Sequence, residues 1–148
     1  MIILKFYFTF RRSTLFALIL TLICAVFVSS KFTASTVYSE EGSTNYQRIS
    51  FLESIKCKVQ EEIVSKKDIV IPDEFSNVYE NYNKLQISAG FDLVPFKGSK
   101  ATVYTYKVTK YKDIKDAYAN LIVCNGKIIG GDIFTTDLNG QMLPLKKT

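Results

Sequence analysis

The chain is 148 residues long, 47% hydrophobic and 22% charged, which is too apolar for a disordered chain and long enough for one modest domain. It contains no histidine, and that excludes His-based triads, Cys–His dyads, most zinc sites and the commonest general base near neutral pH. Nineteen Lys and Arg against fourteen Asp and Glu give a net +5, but Lys5, Arg11 and Arg12 precede every acid. From Lys31 onward sixteen cations face fourteen acids, a balance of +2, so the basic footprint of a nucleic-acid binder is missing.

Ser13 to Ser30 (STLFALILTLICAVFVSS) carries no charge, and at ~1.5 Å per helical residue it reaches about 27 Å, close to a hydrocarbon core. Arg11 and Arg12 before it should stay cytoplasmic. The expected layout is a cytoplasmic N-terminus over 1–12, a transmembrane signal anchor over 13–30, a polar flexible stalk over 31–43 and an extracytoplasmic domain over 44–148. A cleaved signal peptide is the alternative, with Val28 and Ser30 as small residues before the cut and the domain then secreted. The anchor is favoured because the uncharged run exceeds the usual ~7–15 residue h-region. Ile23 before Cys24 does not suit lipoprotein acylation, so Cys24 reads as an apolar residue of the span. Cys57 and Cys124 read as two separate core thiols, since a disulfide framework normally shows several cysteines in a short domain.

Thr44 and Gln47 stand at capping-box spacing ahead of Ile49, Leu52 and Ile55, a short helix with one apolar face. Val59 to Ile71 holds two β-branched runs and is expected to be extended, as an edge strand. Pro72, Asp73 and Glu74 favour a helix start, and Phe75, Val78, Tyr79, Tyr82, Leu85 and Ala89 give the long helix that follows its apolar face. Gly90 ends it, with Phe91 making the hydrophobic contact of a glycine C-cap. After a loop to Lys100, the period changes to 2. Ala101–Thr109, Ala117–Cys124 and Lys127–Thr135 read as strands, the last two joined by Asn125-Gly126, a type I′ hairpin signal that sets Val123 opposite Ile128 and Ile122 opposite Ile129. Lys110–Asp116 and Asp137–Gly140 are turns, Gly130-Gly131 marks a bulge or a close backbone approach, and Met142–Leu145 adds a short last strand. The expected fold is α+β: after the transmembrane helix, a short helix and a long amphipathic helix packed on a three- to four-stranded antiparallel meander.

The strings TNYQRISFLESIKCKV (44–59), IPDEFSNVYENYNKLQISAGFDLVPFKG (71–98) and ANLIVCNGKIIGGDIFTT (119–136) together resemble a domain-of-unknown-function family of clostridial and related Gram-positive bacteria. The resemblance implies one N-terminal hydrophobic segment followed by a small exported domain, and it brings no activity. Cys57 and Cys124 stand where the family pattern has an aromatic, which argues against thiol chemistry there.

Among the chemistry-bearing residues, Gly130, Gly131 and Asp132 suggest an exposed carboxylate on accessible backbone, against the simpler reading of a bulge with a solvated or turn-bonding Asp. Asp137, Asn139 and Gly140 lack the bidentate Glu of a calcium loop. Ser99 and Lys100 are adjacent, which is no evidence of a nucleophile and its base. Tyr79, Tyr82, Tyr104, Tyr106, Tyr111 and Tyr118, interleaved with Lys107, Lys110, Lys112 and Lys115, offer a surface for an anionic wall polymer or headgroup, but core tyrosines beside a solvated lysine turn explain them more simply. No catalytic, cofactor-binding or metal-binding residue is assigned. The expected function is a membrane-anchored, non-enzymatic binding or interaction domain whose partner is an envelope protein or cell-wall polymer. The alternative is a cystatin-like inhibitor or sensor module, and a carboxylate hydrolase is the poorest reading.

Overall fold

The computed structural model describes residues 40–136 and 140–145. In chain order these form β1 (Glu40–Glu41), α1 (Asn45–Ser54), β2 (Lys58–Val70), α2 (Asn77–Ser88), β3 (Lys100–Lys110), β4 (Ala117–Cys124), β5 (Lys127–Thr135) and β6 (Met142–Pro144). The expected span over 13–30, the tail before it, the stalk up to residue 39 and the Asp137–Asn139 part of the last turn lie outside the described residues. Among the described residues no helix is long and apolar enough to cross a membrane.

Local chemistry fixes the central hairpins. Asn125 and Gly126 both take positive φ, 49° and 78°, as a type I′ turn requires, and β4 folds back on β5 with Val123 opposite Ile128. The next expected pair is shifted. Ile122 faces Gly130 rather than Ile129, because Ile129 is the extra residue of a bulge. Lys110–Asp116 turns β3 into β4, with Lys112 and Asp116 in the left-handed region.

The sheet is larger than the three- or four-stranded meander read from the sequence. It has six antiparallel strands in the order β1-β5-β4-β3-β2, with β6 also pairing β5. β1 and β6 are too short to show a period. β1 also brings part of the expected stalk into the domain: Glu40 and Glu41 pair with Ile128 and Lys127, and the Gly42 N–H donates to the Gly126 carbonyl at 2.8 Å. β2 is the edge strand expected, running unbroken through its polar middle with bulges between Lys58 and Ser65.

Both faces of the sheet are packed. The capping box closes α1, with the Thr44 N–H donating to Gln47 Oε1 at 2.9 Å and the Gln47 N–H to Thr44 Oγ1 at 3.2 Å, and this sets Phe51, Leu52 and Ile55 over Tyr106, Val108, Ala119, Leu121, Val123 and Ile133. The second cluster joins Ala101, Ile122, Cys124 and Ile129 to Ile71 and Leu93, with Phe75, Tyr79 and Tyr82 packed against it. Phe91 falls in the first cluster and Leu93 in the second, so the chain leaving α2 contributes to both.

α2 starts later than the Pro72 signal implied. The Ile71 N–H donates to the Ser99 carbonyl at 3.0 Å and the Ile71 carbonyl accepts from the Gly98 N–H at 2.8 Å, so Pro72 still belongs to the exit from β2. Ser76 is the N-cap, its Oγ accepting from the Tyr79 N–H at 3.4 Å. The C-terminus is as read: Gly90 has φ 92°, its N–H bonds the Ile87 carbonyl, and the Phe91 N–H bonds the Gln86 carbonyl, both at 3.0 Å, the paired bonds of a Schellman motif. The buried face differs. Val78 is 79% exposed, while Asn83 and Gln86 are buried because each serves a backbone group. Asn83 Oδ1 accepts from the Leu93 N–H at 2.8 Å, and Gln86 Oε1 accepts from the Gly131 N–H at 2.8 Å.

At Gly131 a side chain would meet the Asn120 carbonyl and Leu145 Cδ1, whereas at Gly90 it would meet open space. Gly131→Ala is therefore expected to destabilise by about 2 kcal/mol or more through overpacking, and Gly90→Ala by about 1 kcal/mol through left-handed strain alone. Urea unfolding of the two variants measures the order, and equal or inverted losses would contradict the close approach at Gly131.

Candidate functional site

Asp132 is neither exposed nor solvated. It is 2% exposed, with Oδ2 accepting from the Tyr82 hydroxyl at 2.8 Å and Oδ1 from Asn120 Nδ2 at 3.1 Å. Asn120 Oδ1 in turn accepts from Thr105 Oγ1 at 2.8 Å. The row Thr105–Asn120–Asp132 crosses β3, β4 and β5 at matched register, and Tyr82 ties it to α2. Burial pushes the Asp132 carboxyl above the usual carboxylate range, against the opposing pull of its two hydrogen bonds. Burial, and the charge of Asp132 behind it, likewise raises the Tyr82 phenol. The bonds of both carboxylate oxygens go to the joint between helix and sheet. Among the described residues no group of three or more Cys, Asp or Glu is placed to hold a metal ion.

The tyrosines and lysines do not form one surface. Tyr104 and Tyr106 lie on the α1 side and Tyr79 and Tyr82 on the α2 side. Tyr111 is buried in the β3–β4 turn. Tyr118 stacks on Phe134 with ring centres 5.5 Å apart, and Lys107 lies 4.5 Å over the Tyr118 ring and 3.7 Å from Asp116. Ser99 spends its backbone on Ile71, while Lys100 opens β3. The Lys110–Asp116 turn and the Asn125–Gly126 turn sit at opposite ends of β4, so those two do not cluster.

Other segments converge at the Asn125–Gly126 end. A groove of about 690 Å³ is lined there by Ser43, by Asp68–Val70 at the close of β2, by Lys100–Thr102 and Tyr104 of β3, by Val123, and by Asn125 and Gly126. Its walls mix apolar groups, including Val70 and Ala101, with the charges of Asp68 and Lys100. Asp68 Oδ1 accepts from the Thr102 hydroxyl at 2.7 Å.

The sequence reading missed Arg48, which holds the Ser43 wall in place. Buried on α1, it donates from Nε to the Tyr106 hydroxyl at 2.7 Å and from Nη1 to the Gly42 and Ser43 carbonyls at 2.7 and 3.1 Å. Its guanidinium stacks 3.7 Å over the Tyr104 ring. The one sequence signal was its place four residues before Leu52 on the apolar stripe, where an arginine needs partners for every donor.

A carboxyl whose folded-state value is raised binds its proton more tightly in the fold. The stability this gives is full below the ordinary value of 3.8 and is lost as pH rises through the raised one. The parent chain is therefore expected to lose stability from pH 4 towards neutral relative to Asp132→Asn, whose amide does not titrate. Thermal unfolding of both across that range measures this, and a stability gap independent of pH would contradict a buried, titrating Asp132.

No curated protein and no solved structure matches the chain. Residues 51–133, more than half of the chain, match the family described as Domain of unknown function (DUF4830). The matched stretch holds the buried Asp132 row, the glycine pair and Gln86, together with most of the groove. The chain belongs to the DUF4830 family.

Proposed function

We propose that the chain is a single-pass membrane protein whose C-terminal domain lies outside the cytoplasm and binds a partner without catalysing a reaction. The uncharged run from Ser13 to Ser30 behind Arg11 and Arg12 supports the anchorage and orientation, and a hydrophobic segment before a small exported domain is the layout its likeness to clostridial and other Gram-positive proteins implies. The observation that carries the binding reading is the groove: four separate stretches, at Ser43, at the end of β2, at the start of β3 and around Asn125–Gly126, line one concavity. Its mixed apolar and charged walls suit the side chains of an extended envelope polypeptide better than a wall polymer, which would meet few free cations there. The inhibitor or sensor reading names a narrower partner for the same surface. Asp132, the carboxylate on which hydrolysis would rest, is turned to structural bonds with Tyr82 and Asn120.

Two measurements test this. A tag fused after Thr148 is expected to be cut by protease added to intact protoplasts, and full protection would place the domain on the other side. The full chain is expected to retain an envelope polypeptide, with retention falling at least several-fold for Lys100→Glu in the groove and not for Lys84→Glu on α2. Equal retention by the two variants would remove the groove from the interaction.

A further inference from the structure

We propose that β2 is a self-association edge, pairing antiparallel with β2 of a second copy about a two-fold axis through Lys67. β2 ends the sheet, and among the described residues it pairs with β3 alone. Every residue from Gln60 to Asp68 is exposed; α1 holds the strand near its start, where Val59 packs on the first cluster and Asn45 Nδ2 donates to the Glu61 carbonyl at 2.9 Å, and a second sheet can come alongside the stretch beyond. Beyond the bulges, Ser65 to Val70 pairs one-to-one with Thr105 to Lys100, which leaves a regular outer row of backbone donors and acceptors free for another strand.

Charge selects the register and the occupant. A two-fold axis normal to the sheet keeps each face on its own side, and opposed residues must share a face, so the axis must pass through a residue. Centring on Lys66 or on Asp68 sets that charge against its own copy with no opposite pair in return. Centring on Ser65 or Ile69 sets charged residues against apolar ones. Centring on Lys67 places Lys66 opposite Asp68 of the second copy, and Asp68 opposite its Lys66. Both residues lie on the face shared with Tyr104 and Thr102. The same register sets Ser65 against Ile69 within the regular stretch, while Val70 falls opposite Val64, the extra residue of the last bulge. Only Lys67 meets its own kind, on the opposite face, where the two ammonium groups can splay into solvent.

The register gives a direct test in the full chain carrying Cys24→Ser, with Cys57 and Cys124 buried. Under a mild oxidant, Lys67→Cys is expected to form a disulfide-linked dimer. Lys66→Cys and Asp68→Cys alone should each give several-fold less, and mixing those two should restore the yield. Adding Lys66→Asp to Lys67→Cys should cut the dimer several-fold, and adding Asp68→Lys as well should recover it. No dimer at any position would show that Lys66 and Lys67 guard a solitary edge. Equal yields at all three positions would show unspecific collision, and capture of a different protein at residue 67 would make the edge a heterologous one; each of these outcomes overturns the proposal.

Discussion

The hydrogen bond from the Gly131 N–H to Gln86 Oε1 is the constraint around which the domain is arranged. On its outer side β5 is covered by β1 at Lys127–Ile128 and by β6 at Asp132–Phe134, and the gap between these two short strands is filled by a helix side chain. A Cβ at Gly130 would stand 2.9 Å from that same oxygen, so α2 can come this close only where β5 carries glycine. Once Gln86 is seated, Tyr82 one turn earlier reaches Asp132, and the Gly90 turn delivers Phe91 and Leu93 to the two clusters. The bulge at Ile129 belongs to the same device. It breaks the alternation so that Ile129 and the open side of Gly130 both face the second cluster, which aligns the glycine pair with the helix.

What the sequence reveals of this fold is whatever is encoded within a few residues. The capping box at Thr44, the Asn125-Gly126 hairpin, the Gly90 terminus and the period-2 strands are local, and each is where its pattern puts it. α2 begins at Asn77 instead of Pro72 because Ile71 is engaged by Gly98 and Ser99, residues that pattern reading cannot bring near. Its buried face includes Asn83 and Gln86 because they answer backbone groups of a loop and a strand, and hydrophobicity counts both as solvent-facing. β1 and β6 exist only as additions to β5. The glycine pair was legible as a close approach, yet the neighbour was not, and Asp132 changes from an exposed candidate to a buried joint for the same reason. Arg48 escaped notice because its partners are two carbonyls, a phenol and an aromatic ring, none of which announces itself as a counter-charge.

The surfaces left for other molecules lie towards the β2 side of the sheet. β5 is covered by β1, Gln86 and β6, and α1 and α2 each lie over one face. β2 is held by α1 near its start, through Val59 and the Glu61 carbonyl, and its other end opens into the groove. The sheet thus leaves a long, charged strand at one edge, and the groove at the end of that strand is the concavity on which the binding proposal rests.

Cys57 and Cys124 lie in different clusters, on opposite sides of the sheet, both unpaired and buried. Burial pushes the Cys57 thiol up to about 12, which leaves almost none of it as the thiolate that attacks disulfides. The sheet thus stands between the two sulfurs and keeps them apart. Among the described residues, then, no covalent link ties one face of the sheet to the other, and packing and hydrogen bonds alone seat α1 and α2 on it.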